Sequence, residues 1–206
     1  MGKFLFAVLA LALAFGTSSS AQANLLVNPS FESGSVGSIP TGWAVDWNSG
    51  NISTSAANPQ GGFRNARNSF DGGLYQSVGV IGGQQYELTG YAYIPSGTGG
   101  SNWGSYIGVR FLNGVGDIVL NWQSDVQDLP RNQYNLADSG VLVAPTTATT
   151  ALVRFGTWAD DPYLPVNPTD FDNFNFAGNA VPEPTSILLL GSGLVGLAGL
   201  AKKRKA

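Results

Sequence analysis

Between residues 24 and 180 apolar and polar side chains alternate in short runs. Gln85 to Tyr93 sets Tyr86, Leu88, Gly90 and Ala92 against Glu87, Thr89, Tyr91 and Tyr93. Tyr106 to Leu112 puts Ile107, Val109 and Phe111 on one side and Arg110 on the other, and Thr150 to Trp158 groups Ala151, Val153 and Phe155 opposite Leu152, Arg154 and Trp158. A two-residue period marks a strand with one buried face. Ile118–Trp122, Val141–Val143 and Phe171–Phe176 are further strand candidates, and clusters of Gly, Asn, Pro and Ser separate the runs. No apolar 3.6-residue pattern of helical length interrupts them. About eight to ten such strands in one domain predict an all-β fold, two antiparallel sheets packed as a sandwich. Residues 95–105 and 159–170 read as loops, and no internal repeat is evident.

The two ends depart from this pattern. Lys3, the apolar stretch Phe4–Phe15 and the small-x-small triplet Ala21-Gln22-Ala23 have the order of a secretory signal peptide, cleaved after Ala23. At the other end, Ile187 to Ala201 carries no charge and would be about 22 Å long as a helix. That is short for a bilayer, but Lys202 and Lys203 can snorkel to the headgroups. The basic run Lys202-Lys203-Arg204-Lys205 stays cytoplasmic by the positive-inside rule, which puts the body outside the inner membrane. The expected organisation is a signal peptide at 1–23, a β-sandwich at 24–178, a linker at 179–186, a transmembrane helix at 187–201 and a basic tail at 202–206.

The tail joins three ordered features: the motif Pro182-Glu183-Pro184, the apolar span and the basic end. It resembles the PEP-CTERM sorting signal of Gram-negative bacteria. The resemblance implies an exosortase-type membrane transpeptidase as partner, cleavage near the Pro-Glu-Pro and only transient contact with the inner membrane through 187–201.

Charge and composition narrow the chemistry of the body. Of the 10 basic residues, Lys3 and the four at 202–205 lie outside 24–180, which leaves five, all arginine; of the 13 acidic residues only Glu183 lies outside, which leaves 12. The body therefore carries 5 − 12 = −7, a poor balance for nucleic-acid binding. The chain has no cysteine and no histidine, so thiolate nucleophiles, imidazole bases and His-ligated zinc are excluded.

The order of landmarks in the body runs from Asn24-Leu25-Leu26-Val27-Asn28-Pro29-Ser30-Phe31-Glu32 through Pro40-Thr41-Gly42-Trp43, Leu74–Val78 and Gly83–Ala92 to Leu152–Phe155 and Phe171–Phe176. It resembles the galactose-binding-like β-jelly rolls, above all carbohydrate-binding modules. The resemblance implies a glycan ligand and one structural Ca²⁺ held by first-strand and last-strand oxygens. Glu32 and Asp172 match those positions, with Asn28 able to add an oxygen. A hard cation takes six to eight oxygens, so the carboxylates would need main-chain carbonyls beside them.

Sugar rings stack on exposed aromatic faces. Trp47, Trp103 and Trp158 are the candidates: Trp103 falls in a Gly/Ser/Asn stretch and Trp158 shares a strand face with Arg154. Trp43 is expected in the core. Arg64 and Arg67 could fork to hydroxyls or carboxylates of a glycan, or pair with the many aspartates. No carboxylate pair has the arrangement of a glycosidase: Asp160 and Asp161 are adjacent, and Asp125, Asp128 and Glu87 have no evident partner. The expectation is an exported, non-catalytic surface or matrix protein that binds exopolysaccharide or a cell-surface glycan. The alternatives are a purely structural matrix protein, whose aromatics are all core, and a glycoside hydrolase, which needs two carboxylates converging in a cleft.

Overall fold

The computed structural model describes residues 23–48, 51–96, 103–159 and 168–178. Residues 1–22 of the proposed signal peptide, Ala21 among them, the sorting motif Pro182–Pro184 and the proposed span 187–201 lie outside these residues. Among the described residues there is no α-helix, and so none long and apolar enough to cross a membrane.

Ten strands form in chain order: β1 (Ala44–Trp47), β2 (Ile52–Ser55), β3 (Asn65–Asn68), β4 (Gly72–Gly79), β5 (Gln85–Tyr93), β6 (Trp103–Asn113), β7 (Ile118–Asp125), β8 (Tyr134–Val143), β9 (Ala148–Ala159) and β10 (Thr169–Gly178). They make two five-stranded sheets in the orders β1-β4-β9-β6-β7 and β2-β3-β10-β5-β8. Every pairing is antiparallel. The alternation predicted for the central strands holds. Tyr86, Leu88 and Ala92 of β5, Ile107, Val109 and Phe111 of β6, and Ala151, Val153 and Phe155 of β9 are buried in the core between the sheets.

Several boundaries differ from the sequence reading. Trp103 opens β6 rather than sitting in a loop, β7 and β8 extend beyond Ile118–Trp122 and Val141–Val143, β10 begins at Thr169, and β1, β2 and β3 are additional short strands. Once Trp103 is in the strand, alternation puts it on the same side as Ser105 and Ile107. There it packs against the core, with the Arg131 guanidinium 5.8 Å from its ring centre.

The core is aromatic at its centre. Phe31, Trp43, Phe155 and Phe174 meet pairwise with ring centroids 5.1–5.8 Å apart, mostly edge to face, and Phe171 adds a contact to Phe155 at 4.7 Å. Such edge-to-face pairs contribute about 0.5–1.5 kcal/mol beyond their area. Two of these rings, Phe31 and Trp43, come from outside the regular strands. Phe31 sits at φ 57°, and Trp43 donates its indole N–H to the carbonyl of Asn28 at 3.2 Å.

The first residues of the domain lie along the last strand. Leu25 N donates to Phe176 O (2.8 Å), Phe174 N to Pro29 O (2.9 Å), and the Asn24 side chain bridges Phe174 O and Phe176 N. These bonds satisfy backbone groups of β10 that its neighbours β3 and β5 leave unpaired. Phe155→Ala should cost about 3–5 kcal/mol, because four aromatic neighbours would line the cavity it leaves; chemical denaturation followed by tryptophan fluorescence checks this.

Candidate functional site

The outer face of the sheet β1-β4-β9-β6-β7 is built on glycine. One register row crosses all five strands as Trp47, Gly73, Gly156, Tyr106 and Asp125; the next is Tyr75, Arg154, Gly108 and Gln123. Beyond Gly156 on the same side come Trp158 and its partner Gly104. The glycines are needed because rings lie directly on them. A Cβ at Gly73 would stand 1.9 Å from a ring carbon of Trp47, one at Gly156 2.7 Å from the same indole, and one at Gly104 2.5 Å from the indole of Trp158. Beneath each of the two indoles the strands thus carry no side chain. Trp158 leaves 40% of its surface to solvent and Trp47 is half-buried.

A β-bulge puts Trp47 there. The register of β1 slips between Val45 and Trp47, so Asp46 and Trp47 both serve the outer face. Bulges re-aim side chains in this way. Asp71 then fixes the indole by accepting its N–H at 3.0 Å, while its other oxygen takes Asn48.

Arg154 sits beneath. Its guanidinium is 5.5 Å from the Trp47 ring centre and 5.1 Å from that of Tyr106; the two rings are nearly parallel, 5.9 Å apart. Asp46 supplies the counter-charge at 2.5 Å. Arg154 is more than nine-tenths buried, and cation–π contact to two desolvated rings contributes about 2 kcal/mol or more per site of this kind. The Tyr106 hydroxyl is buried with no hydrogen-bond partner, and burial pushes its pKa up.

Of the other two candidate arginines, Arg67 belongs to β3 in the opposite sheet and Arg64 to the segment just before it. Arg67 forms a bidentate pair with Asp170, Nε to Oδ1 and Nη2 to Oδ2, both at 2.7 Å. That bond to Asp170 raises the arginine pKa further. Arg64 Nη1 donates to the carbonyls of Glu32 (3.1 Å) and Gly34. Neither guanidinium joins Trp47 and Trp158, because sheet assignment and not proximity in sequence decides the face. Of the two roles open to them in the sequence, Arg67 takes the pairing with an aspartate and Arg64 a contact to main-chain carbonyls. Arg67→Gln should destabilise the domain by about 3 kcal/mol, since it strands the fully buried Asp170, while leaving the indole face intact; thermal unfolding with tryptophan emission reads both.

Glu32 and Asp172 do come together, held by the segment 60–64. Asp172 accepts N–H groups of Gln60, Gly61 and Asn173; Glu32 Oε1 accepts those of Phe63 and Arg64. Gly62, at φ 69°, lies between, and a Cβ there would fall 2.1 Å from Glu32 Oε1. Burial raises the pKa of Asp172 to about 6, its three N–H bonds oppose the shift, and the charge of Glu32 adds to it. This is a partly desolvated pair of like charges in a cradle that only glycine leaves open, and a cation there would share the carboxylate oxygens with these N–H donors. No third carboxylate joins it among the described residues, so main-chain carbonyls would complete any such site. Asn28 takes no part: its side chain closes its own turn, bonding to Ser33 N, Ser33 O and Thr41 O.

Of the candidates named from the sequence, Trp47, Trp158 and Arg154 lie together on this face; Tyr106, Asp46 and the glycines beside them were not among those candidates. Tyr106 was within reach, because alternation from Ile107 puts it on the side of Arg110. The position of Asp46 was not, because the bulge that turns it outward leaves no mark in the pattern.

Comparison with known proteins agrees at both ends of this description. Residues 180–205 match the PEP-CTERM protein-sorting motif, which makes the chain an exported protein with a C-terminal sorting signal. Its structural neighbours are jelly-roll β-sandwiches, carbohydrate-binding modules among them. A family 16 carbohydrate-binding module superposes with TM-score 0.53 at 20% identity, over 75% of this chain and 99% of its own. The CBM22-1 xylan-binding domain of Paenibacillus barcinonensis Xyn10C does so with TM-score 0.53 at 18% identity, over 79% and 98%. The enzymatically active domain of bacteriophage CBA120 tailspike protein 4 gives TM-score 0.56 at 15% identity over 75% of this chain, which spans only 21% of that protein. No curated protein sequence matches the chain.

Proposed function

We propose that the domain binds a glycan on the outer face of the sheet β1-β4-β9-β6-β7, without catalysis, and that the exported protein acts at the cell surface or in the extracellular polysaccharide. The observation that carries this reading is the seating of Trp47 and Trp158 on glycines. Trp158, seated on Gly104, keeps 40% of its surface exposed, and the apolar C–H side of a sugar ring stacks on such a surface. Tyr75 and Gln123, in the next row, add hydroxyl and amide groups for orientation. The fold shared with carbohydrate-binding modules supports the reading. Catalysis has little to work with on this face: of its carboxylates, Asp46 pairs with Arg154 and Asp125 accepts from the Gln123 amide.

Glycan-array binding followed by calorimetry tests the reading. Trp158→Ala should weaken binding about tenfold, equivalent to about 1.4 kcal/mol. Trp103→Ala, on the core side, should lower stability and leave affinity unchanged. Equal affinity in wild type and Trp158→Ala would move the site elsewhere, and no binding to any glycan would leave a structural matrix role.

Glu32 and Asp172 are the residues that would hold a structural Ca²⁺. The ion would tie the first segment of the domain to the last strand. Calcium should then raise the melting temperature and a chelator reverse it, and Glu32→Gln or Asp172→Asn should abolish the response; a melting temperature indifferent to calcium rejects the site. In the tail, an exosortase-type transpeptidase would act near Pro182-Glu183-Pro184. Glu183→Ala should cause unprocessed, membrane-associated precursor to accumulate, as read by the mass of the protein in membrane and medium fractions.

A further inference from the structure

The end of the sandwich opposite Trp47 and Trp158 has the chemistry of a surface that touches lipid. Three connections meet there. Residues 80–84 join β4 to β5, 114–117 join β6 to β7, and 144–147 join β8 to β9. The first and third are locked together by Val80 N to Thr149 O (3.0 Å), Gly83 N to Ala144 O (2.8 Å) and Ala144 N to Gln84 O (2.8 Å). The register places Asn113 of β6 beside Ala148 and Gln85 beside Val143, so both sheets end on this side.

The side chains these connections and the adjoining strand ends push outward are aliphatic. Val115 is 84% exposed, Ile81 61%, Val143 56% and Ile118 54%. Across 80–84, 114–118 and 144–148 the only ionisable residue is Asp117, whose carboxylate is bonded to Asn113 within its own hairpin. Exposed apolar side chains occur elsewhere too, Val27, Val36 and Phe63 among them, but this end combines four of them with a single carboxylate in a domain carrying −7. Solvent alone does not favour four unpaired Val and Ile side chains on loop tips and strand ends.

The chain itself says what lies against them. β10 ends at Gly178, opposite Tyr86, which accepts the N–H of Ile81 through its hydroxyl at 2.8 Å. The domain therefore hands over to its C-terminal segment from this same end. From Gly178 to Ile187, where the uncharged run begins, is 187 − 178 = 9 residues, at most about 30 Å. A body attached to a membrane by so short a connection, leaving from its uncharged end, meets the bilayer with that end. The rest of the acidic domain is repelled by anionic headgroups.

We propose that Ile81, Val115, Ile118 and Val143 form a lipid-contact surface that seats the domain on the outer leaflet of the bilayer holding its tail. Apolar side chains on loop tips partition into the boundary between headgroups and acyl chains, and a single charge at the rim does not oppose it. The sandwich then stands on end, with the Trp47–Trp158 end directed away from the lipid. The proposal draws on the apolar run of the tail and is independent of whether the indole face binds glycan.

The natural absence of cysteine allows single labels without background. The full chain, reconstituted in phosphatidylethanolamine–phosphatidylglycerol vesicles, is given an environment-sensitive fluorophore at Ile81→Cys, Val115→Cys or, at the far end, Phe70→Cys. Headgroup-nitroxide lipids should quench the labels at 81 and 115 several-fold more than the label at 70. In the background of Val143→Asp and Ile118→Asp that difference should shrink. All these sites are exposed, so folding is checked by circular dichroism, and the single-label comparison stands alone if the double variant unfolds. Equal quenching at all three positions overturns the proposal. So does protection at 115 that rises with protein density and ignores the lipid nitroxide, a result that assigns the surface to a second copy of the chain.

Discussion

The closing of the first segment onto the last strand is the constraint on which the structure depends. Residues 24–32 are not a regular strand, yet they supply backbone partners to β10, carry Phe31 to the centre of the core and bring Glu32 against Asp172. Phe31 reaches the centre only because its backbone adopts a left-handed turn at φ 57°, an unfavourable conformation for a bulky residue. Burial among Trp43, Phe155 and Phe174 offsets that cost. Remove this segment and β10 loses donors and acceptors, the core loses a ring, and the cradle formed by 60–64 loses one of the two carboxylates it encloses.

The two sheets divide the labour. In the sheet β2-β3-β10-β5-β8 the outer face is occupied by the protein's own charges. Arg67 and Asp170 saturate each other, Asn58 donates to Asp170, and the segment 60–64 donates N–H groups to Asp172 and Glu32. In the sheet β1-β4-β9-β6-β7 the outer face is glycine and aromatic rings, with its one buried arginine neutralised by Asp46. Buried charges demand fixed partners, whereas a ring on a glycine floor leaves one surface unspent. That difference separates a face closed by its own charges from the face proposed for the glycan.

The division also runs lengthwise. Trp47 and Trp158 lie near one end of the sandwich, and the uncharged aliphatic connections close the other, where the chain departs towards its sorting signal. An antiparallel sandwich sends alternate connections to opposite ends, so a single fold can dedicate one end to attachment and keep the other for recognition.

Periodicity in the sequence determined the fold class and the inward faces of β5, β6 and β9, because in a strand the side-chain period alone decides which residues face the core. The sorting signal was legible from its motif, apolar span and basic run, which are all local. Trp43 was expected in the core from its place in the resembled family, and Trp158 shared a strand face with Arg154 by alternation. Other features depend on contacts between distant residues. The bulge that turns Asp46 and Trp47 outward, the assignment of Arg67 to the sheet opposite Trp158, and the inward side of Trp103 follow from register and strand order. So does the meeting of Glu32 with Asp172, 140 residues apart. Strand order is set by which apolar faces and backbone edges can be satisfied together, a condition on the whole chain that no window of sequence contains.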